Sequence, residues 1–158
     1  INQVNAIVKA GIPVMGHVGL TPQSVHQFGG YKVQGKNFLD SKQIKQDAKD
    51  LQKAGVFCLV LEGIPEELAA EITSDLKIPT IGIGAGSKCD GQILVIHDLL
   101  GFNPDFAPKF VKRYAHLSDV IQNAVIDFIS EVQSEKFPGS EHAYNLKKGP
   151  LKQVNNDR

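Results

Sequence analysis

Disulfides, net charge and long apolar runs are what this sequence has little of. Its two cysteines, Cys58 and Cys89, do not make a disulfide framework. Lys+Arg and Asp+Glu are equal at 17 each, which argues against the basic excess or stripe of a nucleic-acid binder. The longest apolar runs are a handful of residues, far short of the ~20 that cross a membrane. No signal-peptide pattern is present, because Ile1 opens directly into an amphipathic stretch. Zinc motifs are missing as well: there is no C-x-x-C or H-E-x-x-H, and Cys89 with Asp90 are too few ligands. Internal repeats of short period and low-complexity blocks are absent. So is an initiator methionine, and the expectation is a chain that starts partway through something larger or was cut. A reduced, cytoplasmic setting fits these absences best.

What is there is an alternation of two periodicities. The 158 residues suffice for one domain, which would bury roughly 70% of its unfolded surface. Val4, Ile7 and Val8 share one face of a short helix ended by Gly11. Ile12 to Val18 reads as a strand. Ser41 is a candidate cap for a helix with Ile44, Ala48 and Leu51 inside, closed by Gly55. "VFCLVLE", Val56 to Glu62, is a nearly continuous apolar run, the mark of a strand buried on both faces. Pro65 with Glu66 and Glu67 opens the next helix, whose inner face is Leu68, Ala69, Ile72 and Leu76. "IPTIGIGAG" supplies a third strand and Gly91 to Asp98 a fourth. Phe110, Val111, Tyr114 and Leu117 recur at helical spacing. A further helix capped at Ser118 carries Ile121, Ala124, Val125, Phe128 and Val132. Residues 1–144 read as barrel-type or open-sheet structure, and 145–158 as a polar, mobile tail.

Strands alternating with helices argue for a parallel sheet wrapped by helices. Two architectures remain open: a small open α/β sheet, or half of a (β/α)8 barrel. In both, functional groups gather at the carboxyl ends of the strands. His17 ends the first strand, Glu62 the second, Gly82 to Gly86 the third and His97-Asp98 the fourth. A carboxylate closing a doubly buried strand is desolvated, which raises its pKa and suits a general acid/base. The bland reading of Glu62 is a charge emerging into solvent or paired with a lysine. His17 suits a proton shuttle, a metal ligand or a hydrogen-bond donor, although a lone histidine in an apolar strand is more often structural. His97-Asp98 more often only caps a loop. Gly82, Gly84 and Gly86 are spaced by two and lead into another strand, so they do not match the dinucleotide fingerprint. They let a ligand or strand approach the backbone closely. Thr21 to Val25 reads as one helical turn. "FGGYKVQGK", with Tyr31, Lys32 and Lys36, reads as a Gly-hinged loop of the kind that covers a pocket.

Five stretches together resemble one family: "GHVGLTPQSVHQFGGYKVQGK", "LVLEGIPEELAAEIT", "IPTIGIGAGSKCDGQILVIHDLLG", "PKFVKRYA" and "FPGSEHAY". From Ile1 to Tyr144 the chain is similar to ketopantoate hydroxymethyltransferases, also called 3-methyl-2-oxobutanoate hydroxymethyltransferases. The resemblance implies a (β/α)8 TIM barrel of the phosphoenolpyruvate/pyruvate-binding type, of which these four strands are the C-terminal half. It implies transfer of a one-carbon unit from 5,10-methylenetetrahydrofolate to 3-methyl-2-oxobutanoate, with Mg²⁺ chelating the keto acid, in a homo-oligomer (a decamer by family). It makes Glu62 the proton acceptor and His17 a supporting pocket residue, with Gly82, Gly84, Gly86, Asp90 and Gln92 at the folate mouth. The family's metal-binding acids lie on strands upstream of Ile1, so no metal ligand is expected within this chain. Alternatives are a non-catalytic half-barrel and another enolate-forming enzyme of the same superfamily.

Overall fold

The computed structural model describes residues 1–21, 32–105 and 107–145. Most of the turn expected at 21–25, the Gly-hinged loop as far as Tyr31, and all of the tail but Asn145 lie outside them. The chain divides into two compact units, Ile1–Ala115 and a second beginning at His116. Within the first, helix α1 (Asn2–Lys9) leads to strand β1 (Met15–Gly19), then α2 (Phe38–Lys53) and β2 (Cys58–Glu62). Helix α3 (Glu66–Asp75), β3 (Thr80–Ile83), β4 (Gly91–Gln92) and α4 (Ile96–Leu100) follow. The second unit holds α5 (Leu117–Gln133) and a 3-10 turn at Ser140–His142.

All four strands run parallel in the order β1-β2-β3-β4. That order decides between the two expected architectures. A doubly wound open sheet reverses strand order at a switch point, whereas consecutive barrel strands are consecutive neighbours. The sheet is a half-barrel. Its helix-side face is the core: Val18, Leu59 and Leu61 pack on Ala48 of α2 and on Leu68, Ala69 and Ile72 of α3. Leu59 and Leu61 are fully buried, each stabilising the fold by about 1.5–3 kcal/mol. Gly16 sits where any Cβ would lie 2.8 Å from Leu59 Cδ1, so β1 and the Leu59 side chain fit only with a glycine there. Exposed ion pairs of Lys45 with Glu71 and Lys49 with Asp75 also join α2 to α3, a minor contribution at the surface.

Several local expectations change, the first strand among them, which runs over Met15–Gly19 rather than Ile12 to Val18 and so places His17 in its middle. Asn37, not Ser41, caps α2: its side chain accepts the Asp40 N–H at 2.9 Å, while the Ser41 hydroxyl donates back to Phe38 O. Pro65 is the cap of α3 rather than its first residue. The fourth strand is far shorter than Gly91–Asp98, because β4 has one strand neighbour and Ile93 and Val95 stay exposed. A strand paired on one edge alone has half the ladder to hold it. His97 and Asp98 consequently lie in α4, not at a strand end. Finally, no helix runs from Phe110 to Leu117. Only a turn closes there, Val111 N–H to Pro108 O, and Tyr114 N–H is spent on Leu99 O at 2.8 Å. In the second unit α5 begins one residue before the expected cap, at Leu117, and Phe128 meets Phe137 edge to face.

Candidate active site

The carboxyl end of the sheet is held by backbone bonds that run from strand to strand. Leu20 N–H donates to Glu62 O at 2.8 Å, and Gly63 N–H donates to Ile83 O at 2.9 Å. Gly19 pairs with Glu62, and Glu62 with Ile83. Side chains alternate along a strand, so with Leu59 and Leu61 committed to the core, Val60 and Glu62 face the other way. His17, between the inward Gly16 and Val18, does the same. Strand parity therefore puts His17 and Glu62 on one face, and their chemistry follows from that.

Nε2 of His17 lies 3.0 Å from Oε2 of Glu62, with side chains 31% and 18% exposed. The nitrogen itself is buried and makes no aligned hydrogen bond, so the contact is an electrostatic approach rather than a closed pair. That leaves the carboxylate a free lone pair. Burial pushes the Glu62 carboxyl above its ordinary range, and His17 opposes that rise. A carboxylate with raised basicity, kept ionised by the imidazole beside it, is equipped to take a proton.

The other expected residues separate. Gly84 and Gly86 follow β3 with φ of 63° and 76°, a left-handed backbone that suits glycine. Glu66, at the start of α3, fastens this loop: its Oε1 accepts from Ser87 N–H at 3.1 Å and from the Ser87 hydroxyl at 2.9 Å. Those bonds hold the Glu66 carboxyl below its usual range. Gln92 adds a bond from Nε2 to Gly86 O at 2.9 Å. Gly82 lies inside β3, where a Cβ would meet Cys89 Sγ at 2.9 Å. Asp90 is at the opposite end of the sheet. Its Oδ2 accepts from the N–H and the hydroxyl of fully buried Thr80 at 2.8 and 3.0 Å. Thr80 opens β3, about 10 Å along the strand from Ile83, so Asp90 ties β4 to β3 away from Glu62. Cys58 and Cys89 are both free thiols, and burial pushes the Cys89 thiol up. The His97 ring packs edge-on against Phe102 and joins no other candidate.

One group at this end was not anticipated from the sequence. Phe110 reaches Gly84 so closely that a Cβ on the glycine would stand 2.7 Å from the ring. Lys112 Nζ sits 4.9 Å over the Tyr114 ring. The apolar spacing of these residues reads as a helix face; the signal for a loop was Pro108 upstream and the glycine at 84, which leaves room for the Phe110 ring. Among the described residues no three His, Cys, Asp or Glu side chains could hold a metal ion. No helix there is long and apolar enough to cross a membrane.

Comparison with known proteins points one way. The family model described as ketopantoate hydroxymethyltransferase matches residues 1–140. The chain is 52% identical over 151 residues to a 3-methyl-2-oxobutanoate hydroxymethyltransferase of Syntrophomonas wolfei, covering 96% of this chain and 55% of that protein. The enzyme so named from Thermoanaerobacter pseudethanolicus is 57% identical over 145 residues, 92% of this chain and 53% of its own length. That from Clostridioides difficile is 49% identical over 154 residues, 98% and 56% of the two chains. The chain thus spans about half the length of the curated relatives it matches.

Proposed function

Because this chain belongs to the ketopantoate hydroxymethyltransferase family, we propose that its protein transfers a hydroxymethyl group to 3-methyl-2-oxobutanoate, giving 2-dehydropantoate. The donor in this reading is 5,10-methylenetetrahydrofolate, with water supplying the hydroxyl oxygen. The observation that carries it is the approach of His17, on β1, to Glu62, the last residue of β2.

The hydrogen on C3 of the keto acid is acidic only because the neighbouring ketone accepts the electron pair as an enolate. Glu62 takes that proton. Its raised basicity brings the base closer to the acid it must deprotonate, and proton transfer of this kind is worth typically 10²–10⁴ in rate. His17, 3.0 Å away, favours the ionised carboxylate that accepts the proton and limits how far burial raises its basicity. Water hydrolyses both C–N bonds of the donor's methylene, releasing tetrahydrofolate and a formaldehyde unit. The enolate carbon adds to that carbonyl carbon, and the formaldehyde oxygen takes a proton to become the hydroxyl. Loop 84–87, pinned by Glu66 and Gln92, borders the side from which the donor arrives in this reading, with its glycines packed against Phe110 and Glu66.

Mg²⁺, implied by the family resemblance, finds no ligand set among the described residues, and no step here runs through it. Its ligands belong to the part of the family's length that this chain does not span, and the 158 residues alone are inactive in this reading. The remaining assignments are small-molecule substrates, a homo-oligomeric assembly and a cytoplasmic location.

Exchange of the C3 hydrogen for solvent deuterium, followed by NMR without any donor, isolates the Glu62 step. In the complete enzyme carrying this chain, Glu62→Gln should slow exchange by 10²–10⁴. Exchange at the wild-type rate would remove Glu62 from the role of base.

A further inference from the structure

Glu62 and Gly63 are held by three backbone bonds from three parts of the chain. Glu62 O accepts the Leu20 N–H at 2.8 Å, Gly63 N–H donates to Ile83 O at 2.9 Å, and Gly63 O accepts the Gln34 N–H at 2.8 Å. The first two continue the ladders of β1 and β3 beyond the paired residues. The third does not, because residues 32–36 belong to no strand or helix. Gly63, at φ 58°, has the widest choice of backbone conformations, so local preference does not fix the direction in which the chain leaves Glu62. Bonds fix it instead, and Gln34 is what holds the Gly63 carbonyl.

Gly35 lets Gln34 reach that carbonyl. It is buried, with φ of 72°, and it lies between α2 and α3. A Cβ there would stand 2.6 Å from Leu68 Cδ2 and 3.0 Å from Ile44 Cδ1. Only a residue without a side chain sits that deep, and the depth carries the preceding N–H to Gly63. The Gln34 side chain takes no part in the bond, since its Nε2 donates to Lys32 O at 2.8 Å.

We infer that Gln34 is a positioning residue for Glu62, acting through its backbone N–H on Gly63, and that Gly35 is the residue that seats it. The inference rests on the reading of Glu62 as the base and goes beyond it, to how the base is held. Without the Gln34 bond the Gly63 carbonyl turns to water. The freed glycine then lets the residue before it drift from its place 3.0 Å from His17. A base that abstracts a proton from carbon acts only at close range, and a misplacement of about 1 Å can cost up to ~10²-fold in rate. A bond that merely closed a loop would cost stability and leave the base as it was, which separates the two roles.

The test uses the complete enzyme carrying this chain and follows C3 deuterium exchange of 3-methyl-2-oxobutanoate, without donor, against pH. Gln34→Pro removes the N–H, Gln34→Ala keeps it, and Gly35→Ala disturbs the seat without touching either partner of the bond. Gln34→Pro should slow exchange by about 10- to 100-fold, and Gly35→Ala by less in the same direction. Gln34→Ala should exchange as wild type. The pH midpoint of exchange should fall in both slowed variants. Burial is the larger influence on the Glu62 carboxyl and His17 beside it the smaller, so a carboxyl released toward water returns toward its ordinary value. Should Gln34→Pro fail to fold, Gly35→Ala carries the same test beside Gly11→Ala. That control shares the left-handed backbone, with φ of 81°, but its Cβ meets nothing within 4 Å, and its exchange should match wild type. Wild-type exchange in the folded variants that disturb the bond overturns the inference. So does slowed exchange whose midpoint does not fall, or equal slowing in Gln34→Ala. Failure of the Glu62 reading shows separately, as exchange that survives Glu62→Gln.

Discussion

Replacing Gly19 by alanine is the sharpest test of how the site is held. Gly19 has φ of 93°, a conformation that costs an L-residue with a Cβ about 1–2 kcal/mol. The added methyl would also overlap the carbonyl oxygen of Glu62 and stand 2.8 Å from Ile64 Cγ2. Both are fixed: Ile64 is buried, and Glu62 O accepts the Leu20 N–H at 2.8 Å. Relief requires β1 to move off β2 and weakens that hydrogen bond, a further ~1 kcal/mol. The expected loss is about 2–3 kcal/mol, or roughly 5–10 °C in Tm for a protein of this size class. Gly11→Ala is the control. It shares the left-handed backbone, with φ of 81°, but a Cβ there meets nothing within 4 Å, so it should lose only the conformational part. Urea unfolding of the two variants beside wild type separates the contributions. Because the displaced strand carries His17, Gly19→Ala should also raise the Glu62 carboxyl further, as the opposing imidazole recedes. Equal losses in the two variants, or an unchanged Glu62 in Gly19→Ala, would refute the claim that Gly19 sets the distance between the strand ends.

Two other outcomes follow from named contacts. Asp90→Ala should cost about 1–3 kcal/mol, because it orphans the N–H of fully buried Thr80, while Asp90→Asn, which keeps an acceptor oxygen, should retain most of the stability; equal losses would mean that the Thr80 bonds are not the cause. For Glu62 the sign follows from its raised carboxyl. Folding favours the protonated form, so the contribution is fully present below the ordinary value of 4.5 and is lost as pH rises through the raised folded value. Glu62→Gln, which cannot ionise, should therefore gain stability on wild type as pH rises from 4.5 through the raised folded value, and parallel urea-stability profiles across that rise would contradict it.

Local pattern made most of this fold legible, and the departures share a cause. β2 reads directly from "VFCLVLE" because burial on both faces writes itself into a run of apolar residues. α3 reads from its acidic first turn and spaced Leu68, Ala69 and Ile72. β4 does not, because "GQILVIHD" has the composition of a central strand while strand extent depends on neighbours along both edges, which periodicity does not count. Phe110, Val111 and Tyr114 mimic a helix for a similar reason: Phe110 is drawn to the space over Gly84, a contact across 26 positions of chain that no local window contains. At the site, placing Glu62 at a strand end followed from pattern, whereas His17 is the middle residue of β1 (Met15–Gly19) and not its last. Their approach to 3.0 Å needed the register of β1 on β2, which sets Gly19 opposite Glu62. Asp90 illustrates the converse. It is adjacent in sequence to the glycine loop, yet its carboxylate turns to Thr80 at the other end of the sheet.

Direct titration of the residue-62 carboxyl by carbon-13 NMR bears on everything above. With the side-chain carboxyl labelled and wild type compared with His17→Ala, the midpoint should lie above the ordinary glutamate value in both proteins. It should be higher in His17→Ala, because burial raises it and the imidazole holds it back. A midpoint at the ordinary value that ignores His17 would mean a solvated carboxylate with no imidazole beside it, and the proton-accepting role would have no physical basis.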